Sequence, residues 1–252
     1  MIEYRNIKEL TGIDNEESLL NFADIEEAIR LGLAKPYEVI KGKGLSAAIE
    51  EDGTYIISAA DDESAIALLD HLPMEKVNVI CVHGQEAIDY AKSSLHFEGT
   101  DTYYQFVYPL SAEDISKHMH CMEGYTLDVS HPRDEDFPLV LANYDLIPEE
   151  DLIRDFKNKA FIAGYTDNEL ACFIGLHREG AMGLLRVFPK YRRRGYAEKL
   201  YSTLIHNQIL SGALPYCHVD VTNDASIALQ NKLGFVKANQ KVAWLGKEIK
   251  SH

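Results

Sequence analysis

Residues 186–200 read RVFPKYRRRGYAEKL, and five basic side chains stand between Arg186 and Arg194 with no acidic one among them. The whole chain has 40 acidic and 25 basic side chains, so this local excess of positive charge needs an explanation. Pro189 cannot continue sheet pairing, and Gly195 opens a segment with helical periodicity. A helix start has unpaired N–H groups and glycine lets a ligand approach the backbone, so this stretch can cradle a pyrophosphate. On charge alone, a solvated basic helix start explains the run equally well.

The segments around this stretch alternate between strand and helix patterns. Three strands are predicted at residues 160–166, 169–178 and 181–189, joined by the turn pairs Asp167-Asn168 and Glu179-Gly180. After them the pattern predicts a helix over Gly195–Leu210, a strand at 216–222, a short helix ending at Gly234 and a strand at 241–249. We therefore predict the α/β (α+β) class, with a mixed, mostly antiparallel sheet flanked by helices.

Two motifs in this region resemble those of the GNAT superfamily of acyl-CoA-dependent N-acyltransferases. The first, Arg or Gln, two residues, Gly, one residue, then Gly or Ala, is matched by Arg192, Arg193, Arg194, Gly195, Tyr196 and Ala197. The second is matched by Asn223, Ser226, Leu229 and Lys232-Leu233-Gly234-Phe235. Their order and spacing make the signal specific, and the resemblance covers roughly residues 123–252. The stretch HREGAMGLLRVFPKYRRRGYA most resembles the glycine-N-acyltransferase-like branch, which has an extra N-terminal domain.

The resemblance implies acetyl-CoA as the acyl-donor co-substrate. Its pyrophosphate is expected on the loop N–H groups, and its pantetheine arm is expected to pair with the preceding strand like an added peptide. The cofactor-binding residues implied in this way are Leu185, Arg186, Val187, Arg192, Arg193, Arg194, Gly195, Tyr196, Ala197, Asn223 and Ser226. The thioester is expected in a V-shaped cleft between Ala181–Val187 and Tyr216–Val221. Asn223 also suits a helix N-cap, and the two roles are compatible.

The implied reaction is direct attack of an amine on the thioester in a ternary complex, which needs a base and an oxyanion donor. We predict the Val187 backbone N–H as the donor and Glu179 as the base, although a Glu-Gly pair is also ordinary turn chemistry. His177 and His218 are alternative bases. His218 alternates with Tyr216 and Asp220 along one strand face, and histidine titrates near neutral pH.

Gln230 departs from the pattern, because many relatives have a tyrosine there that protonates the leaving thiolate. An amide supplies no proton, so Tyr196, Tyr201 or water would have to do so, or the thiolate leaves unaided. The predicted function is transfer of an acetyl or other short acyl group to a primary amine of a small molecule or amino acid. Gln230 keeps an alternative open, a non-catalytic acyl-CoA-binding sensor or interaction module.

The first half of the chain also has an α/β pattern, but it contains no motif that indicates catalysis or cofactor binding. It predicts a helix over 16–31, a hairpin around Gly53, helices at 61–72 and 84–95, and strands at 77–82 and 103–109. We predict an N-terminal α/β domain at 1–110, a connector at 111–124 and the acyltransferase domain at 125–252. The first domain could be a degenerate copy of the second, and we expect it to wall the acceptor cleft without a cofactor site.

Composition excludes several classes of function. Residues 1–122 hold 23 acidic and 9 basic side chains, and such an acidic surface argues against nucleic acid or an anionic membrane as partner. No apolar run spans a bilayer, and the start of the chain lacks the features of a signal peptide. Four cysteines without a CxxC pair indicate reduced thiols in the cytoplasm. His118, His120 and Cys121 lack a second ligand cluster, so we expect no metal. A homodimer is left open.

Overall fold

The structure is a computed structural model that describes residues 5–109, 126–143 and 148–247. Its helices are α1 Arg5–Thr11, α2 Glu16–Leu19, α3 Ala23–Arg30, α4 Asp62–Asp70, α5 Gln85–Ser93, α6 Phe137–Leu141, α7 Glu149–Lys157, α8 Tyr196–Leu210 and α9 Asp224–Leu233. Its strands are β1 Lys35–Ile40, β2 Gly44–Ile49, β3 Thr54–Ala59, β4 Val79–His83, β5 Phe97–Glu98, β6 Tyr103–Val107, β7 Asp128–Ser130, β8 Phe161–Thr166, β9 Glu169–Leu176, β10 Met182–Val187, β11 Tyr216–Asp220 and β12 Val236–Lys247.

The chain divides into two compact units that do not follow its order. The central unit comprises residues 108–215, and the flanking unit comprises residues 2–107 together with 216–252. The sequence-based division at a connector of residues 111–124 therefore needs correction, because β11 and β12 pair with N-terminal strands rather than with β10. The connector itself lies outside the described residues. Strand pairing over such a sequence distance is set by tertiary contacts, which a local pattern does not encode.

The flanking unit is built on an eight-stranded sheet. Seven strands run in the order β1-β2-β3-β4-β12-β6-β11, and β5 pairs with β12. Only β3 and β4 pair in parallel among these neighbours, since a crossover through α4 joins them. β12 is twelve residues long and pairs with β4 over Val242–Gly246 and with β6 from Val236. The C-terminal strand therefore completes the sheet that the N-terminal half begins.

The first half of the chain differs from its predicted pattern at one helix. The stretch predicted as a helix over 16–31 is α2, a 3-10 turn at Leu20–Phe22 and α3. At the break, the fully buried Phe22 enters the core, while Asn21 donates its amide to Asn239 Oδ1 at 2.9 Å and accepts the Gln240 N–H. The predicted hairpin around Gly53 is confirmed as β2 and β3. α1 and β1 were not predicted.

The central unit is a four-stranded antiparallel sheet in the order β10-β9-β8-β7. Asp167 and Asn168 connect β8 to β9 with φ values of 51° and 63°, the left-handed pair that suits a two-residue hairpin. Its core gathers side chains of α6, α7 and the sheet, namely Val140, Leu152, Phe161, Ala163, Tyr165, Leu170, Phe173 and Leu184. α8 packs on β8, β9 and β10. Among the described residues, no helix is both long and apolar enough to cross a membrane.

Candidate functional site

β10 is the edge strand of the central sheet, and a bulge interrupts its pairing. Gly183 pairs with Gly175 and Arg186 pairs with Phe173, so two residues of β10, Leu184 and Leu185, face a single residue of β9. Leu184 has a φ of 57°, a left-handed conformation that costs a leucine roughly 1–3 kcal/mol. Bulges of this kind re-aim the backbone and often lie beside functional sites. Within the central unit, the outer edge of β10 has no strand partner among the described residues.

The backbone of Val187 points toward this open edge. The next residue, Phe188, donates its N–H to Ala171 O beside β9 at 3.0 Å. Because backbone groups alternate in direction along an antiparallel strand, the N–H and C=O of Val187 point away from β9. The Arg192 guanidinium donates Nε to Val187 O at 3.2 Å. The Val187 N–H is thus oriented to donate to a ligand at the open edge, as an oxyanion donor must.

The loop after β10 is held by two tyrosines. Tyr191 is buried and donates its hydroxyl to the carboxylate of Glu169, the first residue of β9, which also pairs with the Lys190 ammonium. The ring centroids of Tyr191 and Tyr196 lie 6.4 Å apart, and the Arg194 guanidinium lies 5.6 Å from the Tyr191 ring. These contacts fix the loop on the sheet, so its backbone N–H groups have a defined direction.

The start of α8 carries positive charge without internal neutralisation. Arg192, Arg193 and Arg194 are all exposed, and none forms an ion pair with another described residue. Gly195 occupies the N-cap with a φ of 76° and supplies no capping side chain. The first N–H groups of a helix lack intrahelical partners, and the helix dipole adds to the field of the arginines. This arrangement suits a bound anion of several charges, such as a pyrophosphate.

Arg186 adds an unmatched polar atom beside the bulge. Its side chain is half-buried, and its Nε is buried without a hydrogen-bond partner in the described part of the chain. A guanidinium N–H in that state is stabilised when a ligand oxygen accepts from it.

The turn between β9 and β10 contains Glu179 and follows His177. Glu179 is half-buried within this turn. The His177 N–H donates to Ala181 O at 2.8 Å, and its carbonyl accepts from the Gly180 N–H at 2.9 Å. The backbone on both sides of Glu179 is therefore fixed, and the turn interpretation of this residue agrees with its position.

The second motif lies in the flanking unit, at the start of α9. Asn223 caps the helix by accepting the Ser226 N–H at 3.1 Å, so its predicted N-cap role is confirmed. Asn223 is exposed and Ser226 is half-buried. Gln230 is completely buried, and neither atom of its amide has a hydrogen-bond partner among the described residues. A buried unpaired amide costs about 1–3 kcal/mol, which makes Gln230 the least satisfied polar side chain of α9.

Hydrogen bonds hold both ring nitrogens of His218. The Trp244 indole N–H donates to Nδ1 at 3.2 Å, and Nε2 lies 2.7 Å from Gln105 Oε1. Because an indole only donates, Nδ1 must be the acceptor, and the proton therefore resides on Nε2. The Gln105 amide nitrogen in turn donates to Leu20 O at 2.6 Å. His218 has to break the bond from Trp244 before its Nδ1 can accept a proton.

A buried carboxylate that no sequence motif predicts lies beside this ring. Asp24 Oδ2 is 2.7 Å from His83 Nε2, 3.5 Å from Cys81 Sγ and 4.0 Å from His218 Nε2. Burial raises the pKa of the Asp24 carboxyl, but the charge interaction and hydrogen bond with His83, aided by His218, lower it below its usual value. Asp24 and His83 are 59 residues apart, so no spacing rule connects them.

Asp24, Cys81 and His83 are the residue types that bind transition metals, and their ligand atoms lie within 4.8 Å of one another. Two ligands of one tetrahedral zinc ion lie about 3.3 Å apart, so the 2.7 Å contact between Asp24 and His83 indicates a hydrogen bond instead. No described residue is a hydrogen-bond partner of the buried Nδ1 of His83, whereas a metal-bound histidine donates its second N–H. The geometry favours a carboxylate surrounded by donors.

An open groove in the central unit has a volume of about 620 Å³. Charged side chains line it, but they bind one another. Arg133 donates to Asn168 O at 3.2 Å, and Tyr165 donates to Asp136. Lys190 pairs with Glu169 in the same groove. Several of the charged groups in this groove are therefore matched by neighbouring side chains.

Comparison with known proteins agrees with this architecture. Residues 162–245 match the family model of FR47-like proteins. The X-ray structure of a Drosophila protein superposes with a TM-score of 0.65 at 16% identity, covering 98% of this chain and 95% of that one. A GCN5-related N-acetyltransferase from Kribbella flavida gives a TM-score of 0.52 at 10% identity, covering 92% and 96%. No curated protein matches the sequence. The fold is that of the GNAT acyltransferases, and the predicted fold class is confirmed.

Proposed function

We propose that this protein transfers an acetyl or other short acyl group from acyl-CoA to a primary amine of a small molecule or amino acid. The observation that carries the proposal is the bulged edge strand β10, which runs directly into an arginine-rich loop and a helix start. That combination offers one continuous surface, with backbone groups at one end and positive charge at the other. The GNAT fold and the match to FR47-like proteins support the same reaction class.

The donor's pyrophosphate binds the N–H groups of residues 192–197, and the three exposed arginines supply charge. Its pantetheine arm pairs with the outer edge of β10 at Leu185, Arg186 and Val187, in the manner of an added strand. Asn223 and Ser226 belong to the flanking unit, and the proposal includes them as contacts of the pantetheine arm.

Chemistry takes place by direct attack in a ternary complex. The outward Val187 N–H stabilises the oxyanion that develops on the thioester carbonyl. Glu179 and His218 are the proton acceptors that the sequence indicates. The Trp244 indole already donates to Nδ1 of His218. We place the reaction in the cytoplasm, with a small amine as acceptor, and the protein acting as a monomer or a homodimer.

A second candidate is an acyl-CoA-binding sensor without turnover. Gln230 favours it, because this buried amide stands where many GNAT enzymes have a proton-donating tyrosine. The two candidates share donor binding and differ only in turnover.

Calorimetric titration with acetyl-CoA tests donor binding. We expect micromolar binding to the wild type and at least about a 100-fold loss in Gly195→Glu, because a carboxylate there fills and repels the phosphate cradle. Gly212→Glu is the matched control. Gly212 has a similar φ of 74°, is exposed and follows the opposite end of α8. The substitution there causes comparable backbone strain, and the variant should bind acetyl-CoA as the wild type does.

Equal binding of acetyl-CoA by both variants would show that the loop is not part of the donor site. Where the wild type binds, thiol release from acetyl-CoA with a panel of primary amines and amino acids separates the two candidates. Release that depends on an amine establishes the enzyme, and binding without release with any amine favours the sensor.

A further inference from the structure

We propose that His177 accepts the proton of the attacking amine, an assignment that deepens the proposed function and rests on it. The inference starts from two glycines that face each other across β9 and β10. Gly175 pairs with Gly183, so this position of the sheet has no side chain on either strand. A Cβ at Gly183 would lie 2.5 Å from Nε2 and 2.8 Å from Cδ2 of His177. The His177 ring therefore lies directly on the backbone of β10.

Both glycines of this pair are covered by neighbouring side chains. A Cβ at Gly175 would meet the Phe161 ring at 2.9 Å and Leu184 Cδ1 at 3.0 Å. His177 and Phe161 thus cover the two glycines, and each glycine is required for the ring above it. The short turn after β9 holds the His177 backbone by two hydrogen bonds. An imidazole fixed in this way keeps one orientation, as a catalytic base requires.

Within the described residues, the His177 ring nitrogens have no hydrogen-bond partner, in contrast to those of His218. The side chain is half-buried, and no hydrogen bond to the ring is formed by any other described residue. A neutral imidazole always presents one nitrogen lone pair. His177 can therefore accept a proton without first breaking a contact.

The ring also lies at the reacting end of the proposed donor path. The residue that follows Gly183 is Leu184, where the bulge begins. A donor anchored at residues 192–197 runs back along β10, and the strand from Val187 to Gly183 spans about 13 Å at 3.3 Å per residue. The thioester carbonyl that the Val187 N–H stabilises therefore lies along the same edge, downstream of the His177 ring, and the proton of the ammonium ion reaches the ring through a bridging water.

The proposed step balances as follows. The acceptor enters as an ammonium ion, and one N–H proton passes to the unprotonated nitrogen of His177. The amine lone pair then attacks the thioester carbon, the new C–N bond forms, and the C–S bond breaks. The second proton leaves the amide nitrogen for the CoA sulfur, directly or through water, and His177 releases its proton to solvent. The products are an amide, CoA thiol and one proton.

The test uses acetyl-CoA and the best acceptor of the amine panel. We expect His177→Gly to lower kcat by about 100-fold or more, and added imidazole to restore a large part of it. Its Kd for acetyl-CoA should stay within about twofold. The control is His71→Gly, which removes an exposed histidine from the flanking unit. Loss of kcat without rescue by imidazole in a folded, donor-binding variant would overturn the assignment, and so would unchanged turnover.

Gly183→Ala gives a second line of evidence, because the added methyl displaces the His177 ring while leaving the imidazole in the protein. We expect a loss of kcat of at least tenfold with donor binding retained. Gly246→Ala is its control, since a Cβ at Gly246 meets nothing within 4 Å. Full activity of Gly183→Ala would show that the position of the ring is irrelevant and would overturn the proposal.

A measurement without an acceptor separates this inference from the proposed function. Diethyl pyrocarbonate modifies accessible unprotonated histidines, and peptide mass analysis reports each site. Saturating acetyl-CoA should slow modification of His177 by about tenfold or more and leave His71 unchanged. If acetyl-CoA binds in the calorimeter but does not protect His177, the assignment fails and the proposed function stands. If acetyl-CoA does not bind, the proposed function fails and the assignment falls with it.

Discussion

His177 follows strand β9 and His218 lies within β11, and the surroundings of the two rings differ in one decisive respect. His218 has a donor on one nitrogen and an acceptor on the other, and a buried carboxylate lies 4.0 Å away. His177 is held by the shape of a glycine pair, and its ring forms no hydrogen bond to another described residue. Saturated hydrogen bonds stabilise a fold, whereas an oriented ring with a free lone pair is prepared for chemistry. The comparison predicts that His218 governs stability and that His177 governs turnover.

The largest expected effect is on the carboxylate behind His218. Asp24→Ala leaves His83 and Cys81 in the core without their shared acceptor, and we expect a loss of about 3–5 kcal/mol in the free energy of unfolding. Urea denaturation at pH 7 measures it. The control is Asp14→Ala, because Asp14 is 87% exposed and pairs only with Lys8, so its removal should cost under about 1 kcal/mol. A loss as small as the control's would mean that the cluster does not stabilise the flanking unit.

The same cluster gives a pH dependence with a defined sign. Because the folded state lowers the pKa of Asp24, its contribution is fully present above the unfolded value near 3.9 and is lost as pH falls through the lower folded value. The stability difference between the wild type and Asp24→Asn should therefore narrow below about pH 4. A difference that widens on acidification would reverse the assigned direction.

The next prediction compares the stability of variants that lack one or the other histidine. His218→Gln breaks a chain that includes Trp244 and Gln105, and we expect a loss of about 1–3 kcal/mol in the free energy of unfolding. His177→Gln should change stability by less than about 0.5 kcal/mol, as is usual where no buried bond is lost. Thermal unfolding and thiol release are measured on both variants. A stable His218→Gln and an unstable His177→Gln would contradict the predicted difference between the two histidines.

The smallest effect concerns Gln230. Gln230→Met keeps the volume and removes an amide that is buried without a partner, so we expect a gain of about 1 kcal/mol in the free energy of unfolding. Asn231→Met changes an exposed neighbour on α9 and serves as the control. If Gln230→Met also weakens acetyl-CoA binding, the amide is a donor contact. A destabilised variant would show that the amide has a partner, such as a bound water.

Much of the central unit could be predicted from the sequence. The turn pair Asp167-Asn168, the proline that ends β10 and the helix after Gly195 are local signals, each set by the conformational preferences of a few adjacent residues. No local pattern predicted the bulge at Leu184 and Leu185. The cap at Asn223 followed from its residue type alone.

The sequence by itself determined the arginine loop, the strands and helices of the second half and the fold class that they imply. Only the tertiary structure decided that β12 lies between β4 and β6, that the helix predicted over 16–31 breaks at Leu20–Phe22, and that Asp24 meets His83. It also placed the His177 ring over Gly183. The physical reason is range: periodicity and turn preferences act between neighbours along the chain, whereas strand order and side-chain contacts depend on which distant segments pack together.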